Sequence, residues 1–376
     1  MKKLLLSMAL VACAHIGFAQ NGKLHVQASL TGLTDSVVVL SIEQGNKQLG
    51  TFAAKDGKFD FDVDVDHVQD IVLATPATLR RQESKFVNFV AVPGESVELT
   101  GNIAERYDFA GSKFYQQYHE ADLAMENAQK ELVDYTNGLQ QRLQAGESEE
   151  ALGKEYREKW PAMRDKLFDA LTAYIRQHPD QEASAALIPG FQNDVAKMEE
   201  AAGMLTADVK NGRMKPYYQG AIDRIKSSSE REQAAAKKQE AGVTAPDFTL
   251  NDINGKPLSL SSLRGKYVLL DFWGSWCIWC IKGFPQMKEY YNKYKGKFEI
   301  LGIDCNDPEQ KWKDAVKKHE LPWLHVYNPR DSKVLEDYGI QGFPTKILVG
   351  PDGKIVKTIV GEDPAFYTFL DETFGK

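Results

Sequence analysis

Cys277 and Cys280 stand two residues apart in Trp276-Cys277-Ile278-Trp279-Cys280, where an apolar strand pattern gives way to a helical one. A helix N-terminus carries partial positive charge and unpaired backbone N–H groups, and both favour a thiolate at the first cysteine. That thiolate would attack a substrate disulfide to form a mixed disulfide. Cys280, one helical turn on, would resolve it by closing the intramolecular bond, and the same pair run backwards oxidises a dithiol. Other uses of the pair fit less well. A zinc site needs two further ligands, and Cys305 with His319 or His325 offers no second paired knuckle. Haem attachment needs a histidine directly after the second cysteine, where Ile281 stands. A purely structural disulfide would close almost no loop and so stabilise little. Neither a metal nor a cofactor is expected.

The elements that must hold this pair are legible around it. Tyr267 to Trp273 reads as an apolar strand, Ile278 to Tyr294 as a helix, Glu299 to Ile303 as a second strand and Glu309 to His319 as a second helix. That βαβ unit implies parallel strands. Lys346 to Val349 and Ile355 to Val360, joined by Pro351-Asp352-Gly353, add an antiparallel hairpin, and Asp363-Pro364 opens a last helix running to Phe374. The region 244–376 is therefore expected to be one α/β domain.

Upstream, the chain changes character twice. Over 20–110 the pattern is β-rich and antiparallel: Leu24, Val26, Ala28 and Leu30 alternate, as do Phe59, Phe61, Val63 and Val65 against Asp60, Asp62 and Asp64. Val37 to Ile42, Phe86 to Val92 and Val97 to Leu99 supply further strands, for a small sheet or sandwich. Over 111–243 long helix formers dominate, with helices expected from Ser112 to about Gln144, from Glu149 to Gln177 and from Pro216 to Lys238. Gln239 to Thr244 reads as a linker. The charged helical block reads as a spacer or interaction surface rather than a catalytic region.

Residues 1–19 read as an export signal, with Lys2 and Lys3 before the apolar run Leu4 to Ala12 and a small-x-small site at Gly17-Phe18-Ala19. Leu10-Val11-Ala12-Cys13 also resembles a lipobox, which would make Cys13 an acylated first residue and its lipid the only membrane contact. Apolar residues continuing to Phe18 favour cleavage after Ala19. Either way the expected location is the periplasm or cell envelope. Three cysteines remain after the leader, too few for a disulfide framework. Losing Lys2 and Lys3 takes the formal charge from -7 to -9, which argues against nucleic acid as a partner.

Three segments together, Ala245-Pro246-Asp247-Phe248, Asp271-Phe272-Trp273-Gly274-Ser275-Trp276-Cys277-Ile278-Trp279-Cys280 and Gly342-Phe343-Pro344-Thr345, resemble the exported thioredoxin-like reductases of the TlpA and ResA type. The resemblance covers about Ala245 to Lys376. It implies a thioredoxin fold and a protein disulfide or dithiol as substrate, with a membrane electron donor and a role in cytochrome maturation or extracytoplasmic repair. Pro344 matches the cis-proline beside the dithiol, and the Phe343 backbone the edge that pairs with an incoming peptide. Asp271 matches the buried acid that takes the proton from the resolving cysteine; desolvation raises a carboxyl pKa, which suits that task. Its alternative is a strand-end carboxylate satisfied by backbone. Trp276 is expected to flank the dithiol and Trp279 to face outward beside it, as a docking surface for substrate or a patch covered by the N-terminal region. Trp273 and Cys305 read as core and Pro285 as a helix kink.

The chain departs from the family pattern between its cysteines, where Ile278-Trp279 replaces a proline-containing pair, and at Gly283, where a glutamate is common. Peroxiredoxins share the Ala-Pro-Asp-Phe type of entry but use an isolated cysteine, so peroxidase chemistry is not expected. Beside disulfide reduction, two other functions stay open at this point: an oxidase or isomerase on the same fold, and a partner-binding protein with a vestigial dithiol.

Overall fold

A computed structural model of the chain describes residues 22–33, 36–103 and 106–375. The expected signal over residues 1–19 and Cys13 lie outside them. The chain divides into two compact units, Met1–Lys226 and Ser227–Lys376. Among the described residues no helix is long and apolar enough to cross a membrane.

The first unit begins with eight strands: β1 Lys23–Thr31, β2 Ser36–Ser41, β3 Lys47–Ala53, β4 Lys58–Asp64, β5 Gln69–Ala74, β6 Phe86–Ala91, β7 Ser96–Asn102 and β8 Arg106–Gly111. They form two four-stranded sheets, ordered β4-β1-β7-β8 and β3-β2-β5-β6. The second sheet is antiparallel throughout, while in the first β1 runs parallel to β7. Period-two alternation works as physics requires: Leu24, Val26, Ala28 and Leu30 are buried, and residues between them face outward. Strands β3, β5 and β8 escaped the sequence pattern, β3 because Lys47, Gln48 and Gly50 break its alternation.

Two long helices, Lys113–Gln144 and Glu149–Gln177, follow at the expected places. Ser148 caps the second by accepting from the Ala151 N–H, whereas the Ser112 hydroxyl makes no cap hydrogen bond. Shorter helices, Glu182–Ala186, Val195–Met204 and Ala207–Asn211, then precede Lys215–Lys238. They are too short to display a 3.6-residue period. Residue 110 separates strands from helices but does not separate cores. Phe114, Tyr115, Phe168 and Ile175 of the helices pack into the same apolar cluster as Val26, Phe89 and Leu99 of the sheets.

The second unit carries β9 Thr249–Asp252, β10 Pro257–Ser259, β11 Tyr267–Trp273, β12 Phe298–Cys305, β13 Leu324–Asn328, β14 Thr345–Val349 and β15 Ile355–Val360. Their order is β10-β9-β13-β12-β11-β14-β15. The central strands β11, β12 and β13 are parallel, and β14 and β15 add on antiparallel, which is a thioredoxin-like sheet. Leu269 and Trp273 enter one apolar cluster and Val268, Leu270 and Phe272 another. Both faces of β11 are therefore buried, and its sequence is continuously apolar except at Asp271. Strand β13 was not expected, since His325 and Asn328 interrupt its apolar pattern while lying buried.

This unit starts earlier than residue 244. The Gln239 side chain donates to the carbonyls of Tyr338 and Gly339 at 2.8 and 3.0 Å, and the Gly242 N–H to Ile355 O at 2.7 Å. Residues 239–244, expected as a linker, are thus bonded into the thioredoxin-like unit. Solvated-looking composition did not reveal those backbone partners.

Candidate active site

The redox loop connects β11 to the helix Ile278–Lys293. Cys277 is the N-cap of that helix, and its Sγ accepts the Cys280 N–H at 3.1 Å. The two sulfurs are joined in a disulfide with Cα atoms 5.3 Å apart, inside the range a disulfide needs. Both cysteines are buried, Cys280 the more deeply. Once the bond is reduced, the N-terminal helix charge and the N–H aimed at Sγ act on Cys277 and not on Cys280. Limiting iodoacetamide at neutral pH should therefore alkylate Cys277 first in the reduced chain. Peptide mapping by mass spectrometry checks this, and preferential labelling of Cys280 would reverse the assignment. Cys305 should stay unlabelled until the chain unfolds, because burial pushes its thiol up and no solvent reaches it.

The loop is fastened to the segment after β12. Ser275 donates its N–H and hydroxyl to the Asp307 carboxylate at 2.6 and 2.8 Å, and the Trp276 indole N–H donates to Cys305 O at 3.0 Å. Gly274 permits this arrangement, since a Cβ there would collide with the Trp276 indole and the Cys305 carbonyl. Trp276 also packs edge-on against Phe343 with ring centroids 5.3 Å apart. Phe343 precedes Pro344 through a cis peptide bond, at the entry to β14. Around the disulfide the surface is apolar: Trp276 is 47% exposed, Trp279 50% and Ile278 63%, with Val360 also exposed nearby on β15 beside Gly342. Lys282 stands over the Trp279 ring at 4.3 Å, a cation–π contact that orients the indole.

Asp271 lies on β11 on the same sheet face as Leu269 and Trp273, which pack in one cluster with Cys277, Cys280 and Phe284. It is 1% exposed, and its Oδ2 has no hydrogen-bond partner among the described residues. Burial pushes its carboxyl up to about 6; Lys346 opposes that shift and Glu362 adds to it. An acid in that range can both take and return a proton near neutral pH.

Near this face Lys346, Glu362 and Asp304 had no functional place in the sequence reading, and His325 entered it only as an imagined zinc ligand. Lys346, opposite Asp271 in the β11–β14 register, is buried and paired with Glu362 at 2.6 Å. Asp304 is buried on β12, and burial with the nearby Asp307 pushes its carboxyl up to about 8. His325 packs between Trp273 and Trp323, and burial lowers it to about 4, so it stays neutral. A lysine inside the apolar run Thr345 to Val349 was the one signal available. Among the described residues no group of His, Cys, Asp and Glu is arranged to hold a metal ion.

Residues 241–358 match the family model described as the AhpC/TSA family. The thiol-disulfide oxidoreductase ResA of Bacillus cereus is 39% identical over 130 residues, which cover 34% of this chain and 75% of that protein. ResA of Bacillus subtilis is 37% identical over 121 residues, covering 32% and 67%. Among solved structures, the thioredoxin domain of a thiol-disulfide oxidoreductase from Bacteroides vulgatus is 38% identical, with a TM-score of 0.34, over 36% of this chain and 98% of that one. A thiol:disulfide interchange protein from Bacteroides sp. is 36% identical, with a TM-score of 0.35, over 37% and 93%.

Proposed function

The chain belongs to the ResA family of thiol-disulfide oxidoreductases, and from that premise we propose that Cys277 and Cys280 are its working dithiol and that it reduces disulfides of other proteins outside the cytoplasm. The observation that carries this reading is the placement of Cys277 as helix N-cap, with an N–H on its sulfur and Cys280 one turn behind. In the forward reaction the Cys277 thiolate attacks a substrate disulfide, one substrate sulfur leaves as a thiolate, and a mixed disulfide forms. Cys280 then gives its proton to Asp271 and attacks the Cys277 sulfur. The mixed disulfide breaks, the second substrate sulfur leaves, and two electrons have passed from the dithiol to the substrate. Trp276, Trp279 and Phe343 form the apolar rim on which the substrate peptide rests, with Pro344 buried behind Phe343 and shaping its backbone. Export through residues 1–19, with or without lipid on Cys13, places the reaction where disulfides form, and a membrane electron donor re-reduces the pair.

Reduction of insulin disulfides by the full chain, with a glutathione titration of the pair, tests this. We expect turnover and a potential nearer thioredoxin, about -270 mV, than DsbA, about -120 mV, because neither Ile278 nor Trp279 supplies a charge or hydrogen bond to stabilise the thiolate. A potential in the DsbA range would make the protein an oxidase. A pair that is reducible yet turns over no disulfide would make it a binding protein.

A further inference from the structure

Lys346 and Glu362 do not belong to the dithiol, yet they reach the buried acid and the dithiol helix. Lys346 is 2% exposed, in the middle of a sheet, and shares its register position with Asp271. A buried ammonium is costly unless paired, and its partner is Glu362 at 2.6 Å, in the segment between β15 and the last helix, Pro364–Phe374. Tyr367, from that helix, donates its hydroxyl to the other oxygen of Glu362 at 3.0 Å. The carboxylate so held lies against Gly283 of the dithiol helix, where a Cβ would fall inside contact distance of all three carboxylate atoms. Gly283 follows Cys280 by three residues and therefore shares its helix face. The absent side chain at Gly283 is what lets a carboxylate from a distant segment reach that face.

We propose that Glu362 is a positioning residue of the thiol-disulfide exchange: it holds the buried Lys346 ammonium as half of an ion pair against Gly283, so that Asp271 faces a neutralised cation and can take up and return the Cys280 proton. This rests on the assignment of Asp271 as proton acceptor made above. The physical reason is one of balance. A buried lysine beside Asp271 with no counter-charge would lock that carboxyl in its ionised form, ready to accept a proton but slow to hold it. A glutamate alone would lock it protonated. The groups on the Asp271 face, besides the dithiol itself, are Lys346 from β14, Glu362 and Tyr367 from the C-terminal segment, Asp304 from β12 and His325 from β13. Burial and Glu362 push the Tyr367 phenol up, burial with the nearby Asp307 pushes the Asp304 carboxyl up to about 8, and burial lowers His325 to about 4, so all three are neutral at pH 7 and the pair is the only charge among these neighbours.

The test uses the full reduced chain mixed in stopped flow with an aromatic disulfide whose released thiolate is coloured. The first release reports attack by Cys277 and the second reports resolution by Cys280, whose rate rises with pH through an apparent midpoint set by its proton acceptor. Glu362→Gln leaves Lys346 acting on Asp271 unopposed and should lower that midpoint by about one pH unit. Lys346→Met leaves Glu362 unopposed and should raise it by about as much. Shifts of opposite sign are the expected result; shifts of the same sign, or none, overturn the proposal. Asp271→Asn is the reference variant. A midpoint that survives in Asp271→Asn removes the proton-acceptor assignment and the proposal with it, whereas one that vanishes there but does not move in the other two variants refutes the role of Glu362 alone. Where Lys346→Met fails to fold, Gly283→Ala gives the independent reading. Its Cβ displaces the Glu362 carboxylate with every charge retained, so the midpoint should fall as in Glu362→Gln, and an unmoved midpoint counts against the proposal.

Discussion

Cys280→Ser should convert the enzyme into a trap, with a mixed disulfide accumulating on Cys277 and turnover of insulin disulfides falling on the order of 10⁴-fold or more, as when one member of a catalytic unit is removed. The serine hydroxyl cannot displace a thiolate at neutral pH, so the intermediate loses its intramolecular resolving group and decays only by external thiols. Cys277→Ser should lose the same activity without accumulating any intermediate, because the remaining sulfur, at 2% exposure, is screened from substrate by the helix it sits in. Non-reducing electrophoresis and mass spectrometry of extracts exposed to each variant distinguish the two. Adducts on Cys277→Ser but none on Cys280→Ser would exchange the roles of the cysteines. The clients recovered on Cys280→Ser would also report direction: proteins carrying disulfides identify a reductase, and newly exported dithiol proteins an oxidase.

Asp271→Asn should separate activity from stability. Burial holds the native carboxyl at about 6 against an ordinary 3.8, so between those values the folded chain keeps a proton that the unfolded chain has lost. The stabilisation linked to that proton is complete below about pH 3.8 and is lost as the pH rises through about 6. At neutral pH the native state therefore carries a buried charge that costs up to about 3 kcal/mol. Asparagine removes the charge at nearly the same volume. The variant should melt higher than the wild type above pH 6, and the two should converge below pH 4. Resolution of the mixed disulfide should meanwhile slow on the order of 10²-fold or more, the usual contribution of a positioned base. Calorimetry across the pH range and the second phase of thiolate release measure the two effects. A variant that is less stable than wild type at pH 8, or that resolves at the wild-type rate, would return Asp271 to a structural role.

The pairing of Cys277 with Cys280 and its seat at a strand-to-helix junction were legible in the sequence, because they depend on residues within one helical turn of each other. The same is true of the two long helices and of the alternating strands β1 and β4, where a local period reports the buried face directly. Strand β13 and the short helices between 182 and 211 were missed for the converse reason. Their place is decided by what they pack against, as with His325, which sits between two tryptophans although its own run looks half polar. Residues 239–244 resemble a linker in composition but are bonded, through the Gln239 side chain and the Gly242 backbone, to segments about a hundred positions away.

The charges around the dithiol divide in the same way. In the sequence, Asp271 drew notice through its match to the family's buried acid, while Lys346 was only the first residue of the strand Lys346 to Val349. What only the tertiary structure decided is that β14 sets these two opposite each other, and that Glu362 closes on Lys346 through the space left at Gly283. Covalent reactivity is prepared by neighbours along the chain and can be read there. Proton affinity is set by burial and by charges acting through space in a poorly screening interior, and those distances exist only once the chain has folded.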